Sequence, residues 1–237
     1  DIKLFTLETK TPLDQFDMLG FTLQYEMSYT NILNMLDMSG ITIRASERGE
    51  DEPIIMAGGP CAYNPEPLYD IVDFFEIGEG EEMMDDVLEV YAKHKANGKV
   101  NKKEFLREIS HIGGIYVPSL YDVSYNEDGT IREFTPKYED VPAKVKKRIV
   151  NNFDKVSFPD EMIVPYTDIV HDRVVLETAR GCTNGCRFCQ AGMIYRPVRE
   201  KTTNTLIEQA RKALKATGYD EVSLASLSIC DYSNIQN

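Results

Sequence analysis

Short apolar runs alternate with segments of helical spacing along the first hundred residues. The apolar runs predict strands at 2–7, 18–23, 54–57 and 72–77. Helical spacing predicts one helix at 28–38, with Ser28 as its cap and Gly40 as its stop, and a second at about 81–96. This alternation is typical of βαβ units, so the sequence predicts an α/β fold with a parallel sheet.

Residues 100–170 show a weaker pattern. The sequence predicts a helix at 102–110 and a hairpin made by strands at 121–125 and 130–134, because an Asp-Gly step typical of a tight turn lies between them. Four prolines punctuate the remainder, at positions 136, 142, 159 and 165. We interpret 100–170 as a connecting region between two halves of the chain.

The last part of the chain predicts a strand, a loop, a helix and a strand, in that order. Residues 173–178 have the composition of a buried strand, 204–217 have helical spacing and end at Gly218, and 220–225 predict a further strand. A loop rich in glycine and cysteine lies between the first strand and the helix. This order opens a parallel α/β barrel, in which active sites lie at the carboxyl ends of the strands.

That loop contains three of the five cysteines, Cys182, Cys186 and Cys189, at the spacing C-x3-C-x2-C. Gly181 and Gly185 let the backbone curl around a ligand. Three thiolates can hold three irons of a cubane cluster and leave the fourth iron open. A zinc site would use four ligands in paired C-x2-C groups, and an accidental group of free thiols is the other alternative. The spacing therefore favours an iron-sulfur cluster.

Two glycine turns, at 58–60 and 78–80, follow predicted strands in the first half of the chain. Ligands of doubly wound sheets bind at the carboxyl ends of strands, which is where both turns lie. Ordinary turn formation explains glycine equally well at such positions. The acidic residues Glu79, Glu81 and Glu82 stand at a helix start, where carboxylates favour the helix dipole, and we interpret them as part of that helix end.

The cysteine loop, with the aromatic Phe188 just before its last cysteine and a strand just before its first, closely resembles the motif of the radical SAM superfamily. The glycine turns resemble the later half of the cobalamin-binding-type Rossmann domain that precedes many radical SAM cores. The whole chain is similar to a bacterial branch with such an N-terminal region. The resemblance implies a partial Rossmann-like domain at 1–99, the connecting region at 100–170, and the truncated first βα units of a TIM-like radical SAM partial barrel at 171–237.

The resemblance also implies a cluster and a second cofactor beside it. The three cysteines would ligate a 4Fe-4S cluster, whose open iron would bind the amino and carboxylate groups of S-adenosyl-L-methionine. Phe188 would lie beside the adenine. Ser226 and Ser228 stand where many radical SAM cores carry a Gly-Gly-Glu-like segment that binds the amino group, so their hydroxyls are candidates for that contact.

In cobalamin-binding-type domains the glycine turns line the pocket of the corrin's nucleotide tail. The corresponding residues of this chain are Gly58, Gly59, Gly78 and Gly80. No Asp-x-His-x-x-Gly motif occurs in the sequence, so the lower histidine ligand of classical cobalamin domains has no counterpart. The expectation of cobalamin binding therefore depends on the glycine turns alone.

The implied reaction is one-electron reduction of the sulfonium, cleavage of a carbon-sulfur bond, and hydrogen abstraction by the resulting 5′-deoxyadenosyl radical. No residue acts as a catalytic acid or base in it. The resemblance implies a flavodoxin- or ferredoxin-type reductant and allows methyl or methylthio transfer to an unidentified substrate. The alternative from another class is a noncatalytic iron-sulfur or zinc-binding module for electron transfer or interaction.

Net charge and cysteine usage indicate which binding partners and which cellular compartment to expect. The formal net charge of −13 argues against broad binding to nucleic acid or anionic membranes, because both gain from excess Lys and Arg. We interpret the basic residues within 144–148 and 196–215 as solvated faces. An odd cysteine count favours a reducing compartment, with Cys61 and Cys230 as buried spare thiols. Without a signal peptide or a long apolar run, the sequence predicts a cytoplasmic protein.

The pattern at both ends predicts that the chain is an incomplete part of an enzyme. It opens at Asp1 inside the Rossmann-like pattern and stops at Asn237, just after the second strand of the barrel pattern. Most of the S-adenosylmethionine pocket and the substrate-binding wall would then lie elsewhere. We therefore expect that the 237-residue chain alone does not turn over substrate.

Overall fold

The computed structural model describes residues 2–167 and 169–236 of the chain. These residues form two units, one that ends at Ile149 and one that begins at Val150. Each unit has its own parallel strands and its own hydrophobic core. The fold is therefore a mixed α/β arrangement in two parts.

A four-stranded sheet organises the first unit. Strands β1 (Met18–Thr22), β2 (Ile54–Gly58) and β3 (Phe74–Glu76) are parallel and adjacent in chain order, and β4 (Ile115–Tyr116) pairs antiparallel with β3. The register brings the carboxyl ends of the three parallel strands to one edge. The prediction of an α/β fold with a parallel sheet is confirmed for this unit.

The predicted strand at 2–7 is wrong. Among these residues, Phe5 alone takes part in β pairing, through an isolated bridge to Pro12. The side chains of Ile2 and Leu7 are more than four-fifths exposed, at 84% and 85%. An apolar run forms a strand where neighbouring strands bury it, and this run has no such neighbours.

The described residues of the first unit form three α-helices: α1 (Tyr29–Ser39), α2 (Gly80–Ala96) and α3 (Lys102–Ile109). Helix α1 ends where the sequence predicts, because Gly40 takes a left-handed conformation with φ of 70°. Ser28 occupies the N-cap position of α1, as predicted, but its side chain does not cap the helix. Its hydroxyl donates to a carbonyl three residues earlier and accepts no hydrogen bond from the helix.

Aromatic packing joins the sheet of the first unit to its helices. Phe74 of β3 meets Phe105 of α3 edge to face at 6.5 Å between ring centres, and Phe105 meets Tyr91 of α2 in the same way at 5.5 Å. The residues from Ile54 to Ala57 are all buried, as expected of a central parallel strand. Each large apolar side chain buried here stabilises the fold by about 1.5–3 kcal/mol.

The predicted hairpin forms from β5 (Tyr121–Tyr125) and β6 (Ile131–Pro136). Tyr121 is buried in the first core and stacks on an aromatic ring of β6 at 4.8 Å. Helix α3 packs into the same core. The connecting region predicted at 100–170 is therefore divided at Ile149, and its first part belongs to the first unit because its apolar residues find partners there.

A buried ion pair fixes the starts of β2 and β3. The Arg48 guanidinium donates to the Asp73 carboxylate at 2.6 Å, and both side chains are more than nine-tenths buried. The same carboxylate accepts the N–H of Ile55 at 2.7 Å. Burial raises the pKa of Asp73, and the charge of Arg48 opposes that shift. The guanidinium also donates to three backbone carbonyls, those of Thr42, Ile43 and Ile71.

The backbone at Arg148 lies across the carboxyl end of β3. Its N–H donates to the Ile77 carbonyl at 2.9 Å, and its carbonyl accepts the N–H of Glu79 at 3.1 Å. Gly78 lies between these contacts with φ of 118°, and a Cβ there would stand 2.3 Å from the Arg148 carbonyl oxygen. Glycine is required at this position because the protein's own backbone occupies the space.

The second unit is built on two parallel strands, β7 (Val174–Glu177) and β10 (Val222–Ala225). The chain between them forms a short antiparallel strand pair, a short helix and a long helix. These elements are β8 (Ala179–Arg180), α4 (Ala191–Ile194), β9 (Arg199–Glu200) and α5 (Thr203–Thr217). The long helix packs against β7. The predicted order of strand, loop, helix and strand is confirmed.

Two side chains of the second unit differ in solvent exposure from what the sequence predicts. Val175 of β7 is 46% exposed, so this strand buries one face rather than both. Lys201 is 2% exposed, although it belongs to a basic segment that predicts a solvated face. Its ammonium lies 5.1 and 5.4 Å from the ring centres of Phe153 and Phe158. Aromatic faces attract a cation, which explains how this lysine is accommodated inside.

Asp73→Asn should lower the free energy of unfolding by about 3 kcal/mol, because it leaves the buried Arg48 charge without its counter-charge. Urea unfolding followed by circular dichroism measures the loss. The matched control is Asp70→Asn, which disrupts the solvent-exposed pair with Arg44 and should cost less than about 1 kcal/mol. Equal losses in the two variants would contradict the structural role of the buried pair.

Gly78→Ala should lower the free energy of unfolding by at least about 2 kcal/mol more than Gly98→Ala does. The two glycines have nearly the same φ, 118° and 120°, so the backbone strain of the substitutions is matched. A Cβ at Gly98 meets nothing within 4 Å, whereas a Cβ at Gly78 overlaps the Arg148 backbone. Thermal unfolding of both variants measures the difference, and indistinguishable Tm values would show that the close approach is absent.

Candidate cluster and cofactor site

The cysteine loop begins at the carboxyl end of the parallel strands in the second unit. Glu177 of β7 lies opposite Ala225 of β10, and the N–H of Thr178 donates to the Ala225 carbonyl at 2.9 Å. The pairing of β8 with β9 then holds the two ends of the loop together. The loop therefore starts at the edge where parallel α/β enzymes place their active sites.

Backbone crowding at Gly181 fixes the course of the loop. Gly181 has φ of 91°, and a Cβ there would stand 2.8 Å from the carbonyl oxygens of both Tyr195 and Pro197. A larger residue would push the loop away from the segment that leads into β9. Gly185 also has a left-handed φ, 63°, between the first two cysteines. Both glycines thus allow the curled path that the sequence predicts.

Two of the three loop sulfurs accept hydrogen bonds. The backbone N–H and the side-chain Nδ2 of Asn184 lie 3.5 and 3.4 Å from Cys182 Sγ, and the N–H of Gly192 lies 3.4 Å from Cys189 Sγ. Hydrogen bonds to the sulfurs are one means by which proteins set the reduction potential of an iron-sulfur cluster. These donors are therefore placed where cluster thiolates would use them.

All three loop cysteines are free thiols, with Cys186 exposed and the other two half-buried. Within residues 2–167 and 169–236, no group of three or more His, Cys, Asp or Glu side chains is disposed to hold a metal ion. Ligation of a cluster by Cys182, Cys186 and Cys189 therefore stays a prediction. Of the two spare thiols, Cys61 is buried as predicted, but the prediction for Cys230 is wrong, because it is exposed in a short surface turn.

The segment after β10 is tied to the cysteine loop. Asn184 Nδ2 lies 3.2 Å from Asp231 Oδ2, so one side chain joins a cysteine sulfur to this segment. Ser226, at the end of β10, has a buried Oγ without a hydrogen-bond partner among the described residues. Ser228 precedes a short helical turn, and its carbonyl accepts the N–H of Asp231 at 3.1 Å. The structure thus connects the segment of both predicted serines to the loop.

Aromatic and charged residues flank the loop. Phe188 is 91% exposed, so its ring packs against none of the described core. Arg180 donates two hydrogen bonds to the Glu177 carboxylate, at 2.9 and 2.8 Å, and its guanidinium lies 4.8 Å from the ring centre of Phe153. This bidentate pair holds the last residue of β8 against the end of β7.

The predicted glycine residues of the first unit fall into two groups. Gly59 has φ of 98°, and a Cβ there would stand 3.0 Å from the Leu23 carbonyl oxygen. Gly59 and Gly78 therefore face the protein's own backbone. Gly58 and Gly80 are different, because a Cβ at either position would meet mainly the side chain of Glu76. These two glycines therefore border that carboxyl group.

Glu76 is a buried carboxyl group that sequence reasoning missed. It ends β3 and is 7% exposed, and its Oε1 has no hydrogen-bond partner among the described residues. Burial raises the pKa of this carboxyl to about 7. The available signal was the presence of two acids, Asp73 and Glu76, in the apolar run 72–77, which is unusual for a buried parallel strand. Asn184 was also missed, although it lies inside the cysteine motif.

The helices that the structure describes include none that is both long and apolar enough to cross a membrane.

Two sequence comparisons relate the chain to known proteins. Residues 1–118 match the N-terminal region of radical SAM proteins. The chain is also similar to the uncharacterized protein MJ0966 of Methanocaldococcus jannaschii, with 27% identity over 241 residues. That match includes 99% of this chain and 44% of the relative, so the chain spans less than half the length of this relative.

One solved structure resembles the chain at low identity. It is the radical S-adenosylmethionine methyltransferase TsrM from Kitasatospora setae, with tryptophan substrate and the SAM analog aza-SAM bound. The likeness covers 90% of this chain and 37% of TsrM, with 12% identity and a TM-score of 0.45. The N-terminal match to radical SAM proteins and the C-x3-C-x2-C spacing of the cysteine loop both relate this chain to the radical SAM superfamily.

Proposed function

We propose that this chain supplies the cluster-binding part of a radical SAM enzyme, with Cys182, Cys186 and Cys189 as ligands of a 4Fe-4S cluster. The observation that carries the proposal is the set of N–H donors directed at two of the sulfurs, from Asn184 and Gly192. Thiolates are the ligands of iron-sulfur clusters, and three of them leave one iron without a protein ligand. The donor set of the loop therefore fits such a cluster.

The residues around the loop also fit S-adenosyl-L-methionine. Ser226 has an unpaired buried hydroxyl at the end of β10, and Asp231 links its segment to the loop through Asn184. We assign Ser226 to the amino group of the cofactor, with Ser228 as a second candidate on the same segment. The exposed ring of Phe188 is available to pack on the adenine.

When bound, the cluster supplies the electron that cleaves the sulfonium carbon-sulfur bond and yields an adenosyl radical for hydrogen abstraction. The residues of this chain hold and orient both cofactors and supply no acid or base. A flavodoxin- or ferredoxin-type protein would deliver the electron. Because the chain spans less than half of MJ0966, we propose turnover, and methyl or methylthio transfer as its outcome, for a whole protein of that kind in the cytoplasm.

The glycine turns support cobalamin binding less well than the cysteine loop supports an iron-sulfur cluster. Of the four predicted lining residues, Gly59 and Gly78 are explained by the close approach of Leu23 and Arg148. The remaining two, Gly58 and Gly80, border a buried carboxyl group. No step of the proposed reaction is routed through cobalamin, and the proposed domains remain a Rossmann-like first part and the first βα units of a barrel.

Anaerobic reconstitution should give about four iron atoms per chain, and Cys186→Ala should reduce this to below about one, because the cluster loses a ligand. Cys230→Ala is the matched control, since it removes another exposed thiol and should leave the iron content unchanged. Iron, sulfide and zinc analyses measure the outcome. An iron-replete Cys186→Ala protein, or zinc in place of iron in the unaltered chain, would sink the assignment.

Asn184→Ala should lower the reduction potential of the cluster by on the order of 40 mV, because the more negative reduced state loses a hydrogen bond of about 1 kcal/mol. Asn204→Ala is the control, since Asn204 is exposed on α5. Redox titration of the reconstituted variants measures both potentials. Identical potentials in Asn184→Ala and the unaltered chain would show that this side chain does not contact a cluster thiolate.

5′-Deoxyadenosine production separates the enzyme from a noncatalytic iron-sulfur module. A whole protein containing this chain, reconstituted and supplied with S-adenosylmethionine and dithionite, should form 5′-deoxyadenosine, because the reduced cluster cleaves the sulfonium. The same protein with Cys186→Ala should form none above background. Liquid chromatography of the reaction mixture measures the product. A fully loaded cluster that yields no 5′-deoxyadenosine would favour the electron-transfer module.

A further inference from the structure

A cavity of about 510 Å³ lies at the amino end of the sheet in the first unit. Its lining includes Arg48 and Asp73, the buried pair before β2 and β3, together with residues from the start of α3 and from the β5–β6 hairpin. Its volume is in the range of small-molecule sites. Ligands of parallel sheets typically bind at the opposite, carboxyl edge, so this cavity is separate from the predicted cofactor sites.

Tyrosine rings form much of the cavity wall. Tyr116 and Tyr121 are buried, with 5.4 Å between their ring centres, and each hydroxyl donates a hydrogen bond of 2.8 Å within the chain. Tyr69 and Tyr125 also line the cavity and are exposed. The apolar residues beside them are Val72, Leu106, Pro118 and Val123. Because two of the rings are held in place, the wall favours a planar, largely apolar ligand.

The acidic groups of the lining have donors within the chain. Among the described lining residues, four carry carboxylates, and each accepts a hydrogen bond. The pairs are Arg48 with Asp73, Arg44 with Asp70, the hydroxyl of Tyr116 with Glu66, and the backbone N–H of Lys102 with Glu50. These carboxylates therefore gain less from a ligand than an unpaired group does.

Two adjacent lysines at the start of α3 supply positive charge to the cavity. The ammonium of Lys102 donates to the neutral carbonyl of Gly49, and burial lowers the pKa of Lys102, although the nearby Asp73 charge opposes that shift. The ammonium of Lys103 has no ion pair with any residue that the structure describes. A ligand carboxylate would provide the counter-charge that this group lacks.

We propose that the tyrosine-lined cavity binds a small planar aromatic carboxylate, whose ring packs among the tyrosines and whose carboxylate pairs with the ammonium of Lys103. This site goes beyond the proposed cluster chemistry. It uses only residues of the first unit and none of the cysteine loop, so its test is independent of whether a cluster binds there.

2-Naphthoate and 2-naphthalenemethanol are matched probes, because they share a ring system and differ in charge. Equilibrium dialysis against the 237-residue chain measures the Kd of each, and the absence of tryptophan allows the probe fluorescence to be read without indole emission. For 2-naphthoate we expect a Kd of about 1 mM or tighter. The alcohol should bind at least about fivefold more weakly, because it lacks the charge that pairs with Lys103.

Lys103→Gln tests the charged contact. It should weaken 2-naphthoate binding about fivefold and leave binding of the alcohol unchanged, because only the carboxylate pairs with the ammonium. Lys146→Gln is the matched control, since it removes another exposed ammonium, one outside the cavity lining. Equal effects of the two variants on 2-naphthoate would overturn the proposal.

Tyr69→Ala tests the aromatic wall. It should weaken the binding of both probes at least about threefold, because the naphthalene ring loses a packing partner. Tyr25→Ala is its control, since Tyr25 is exposed and lies outside the cavity lining. Both substitutions remove exposed rings, and circular dichroism checks that the variants fold. A Kd weaker than about 1 mM for 2-naphthoate, equal binding of the two probes, or equal effects of the two tyrosine variants would overturn the proposal.

Discussion

The buried pair of Arg48 and Asp73 is the constraint on which the first unit depends. Removing two charges from water is costly, and the cost is offset here by direct ion pairing and by hydrogen bonds to backbone groups of β2 and of the loops before β2 and β3. The pair lies at the amino end of the sheet and fixes where β2 and β3 start. Because the strands are parallel and Met56 lies opposite Phe74, their last residues, Gly58 and Glu76, lie at the same edge of the sheet.

Glycines near the ends of the parallel strands are explained by two different physical reasons. In both units, parallel strands end at one edge and a loop begins there. At Gly78 and Gly181 a Cβ would meet backbone atoms within 3 Å, so these residues permit the chain to pack on itself. At Gly58 and Gly80 a Cβ would meet atoms of Glu76 at an ordinary contact distance, 3.5 Å in both cases. The first kind allows backbone segments to approach closely, whereas the second kind lies beside a buried carboxyl group.

Local chemistry made much of the fold predictable. Gly40 and Gly218 end their helices in left-handed conformations, and the Asp-Gly hairpin forms as the sequence indicates. These outcomes depend on neighbouring residues. The predictions that failed depend on distant ones: the run at 2–7 has no strands to bury it, and Lys201 is enclosed by aromatic rings from another segment.

The candidate site was likewise predictable where it depends on neighbouring residues and not where it depends on distant ones. The cysteine spacing is visible in the sequence, and the apolar run before it predicts that the loop follows a strand. The hydrogen bond from Asn184 to Asp231 joins residues 47 positions apart, so no local pattern reveals it. Whether Glu76 has a partner is likewise a property of the packed edge, since an acid in a strand is paired in most proteins. Tertiary contacts therefore supplied what the pattern could not.

The central claim is that the cysteine loop holds a cluster with one iron open to S-adenosyl-L-methionine. Electron paramagnetic resonance of the reduced, reconstituted chain, recorded with and without S-adenosylmethionine, tests it most directly. Binding of the amino and carboxylate groups to the open iron should change the g values and line shape of the cluster signal. A cluster signal that S-adenosylmethionine leaves unchanged, or the absence of any cluster signal, would contradict the account.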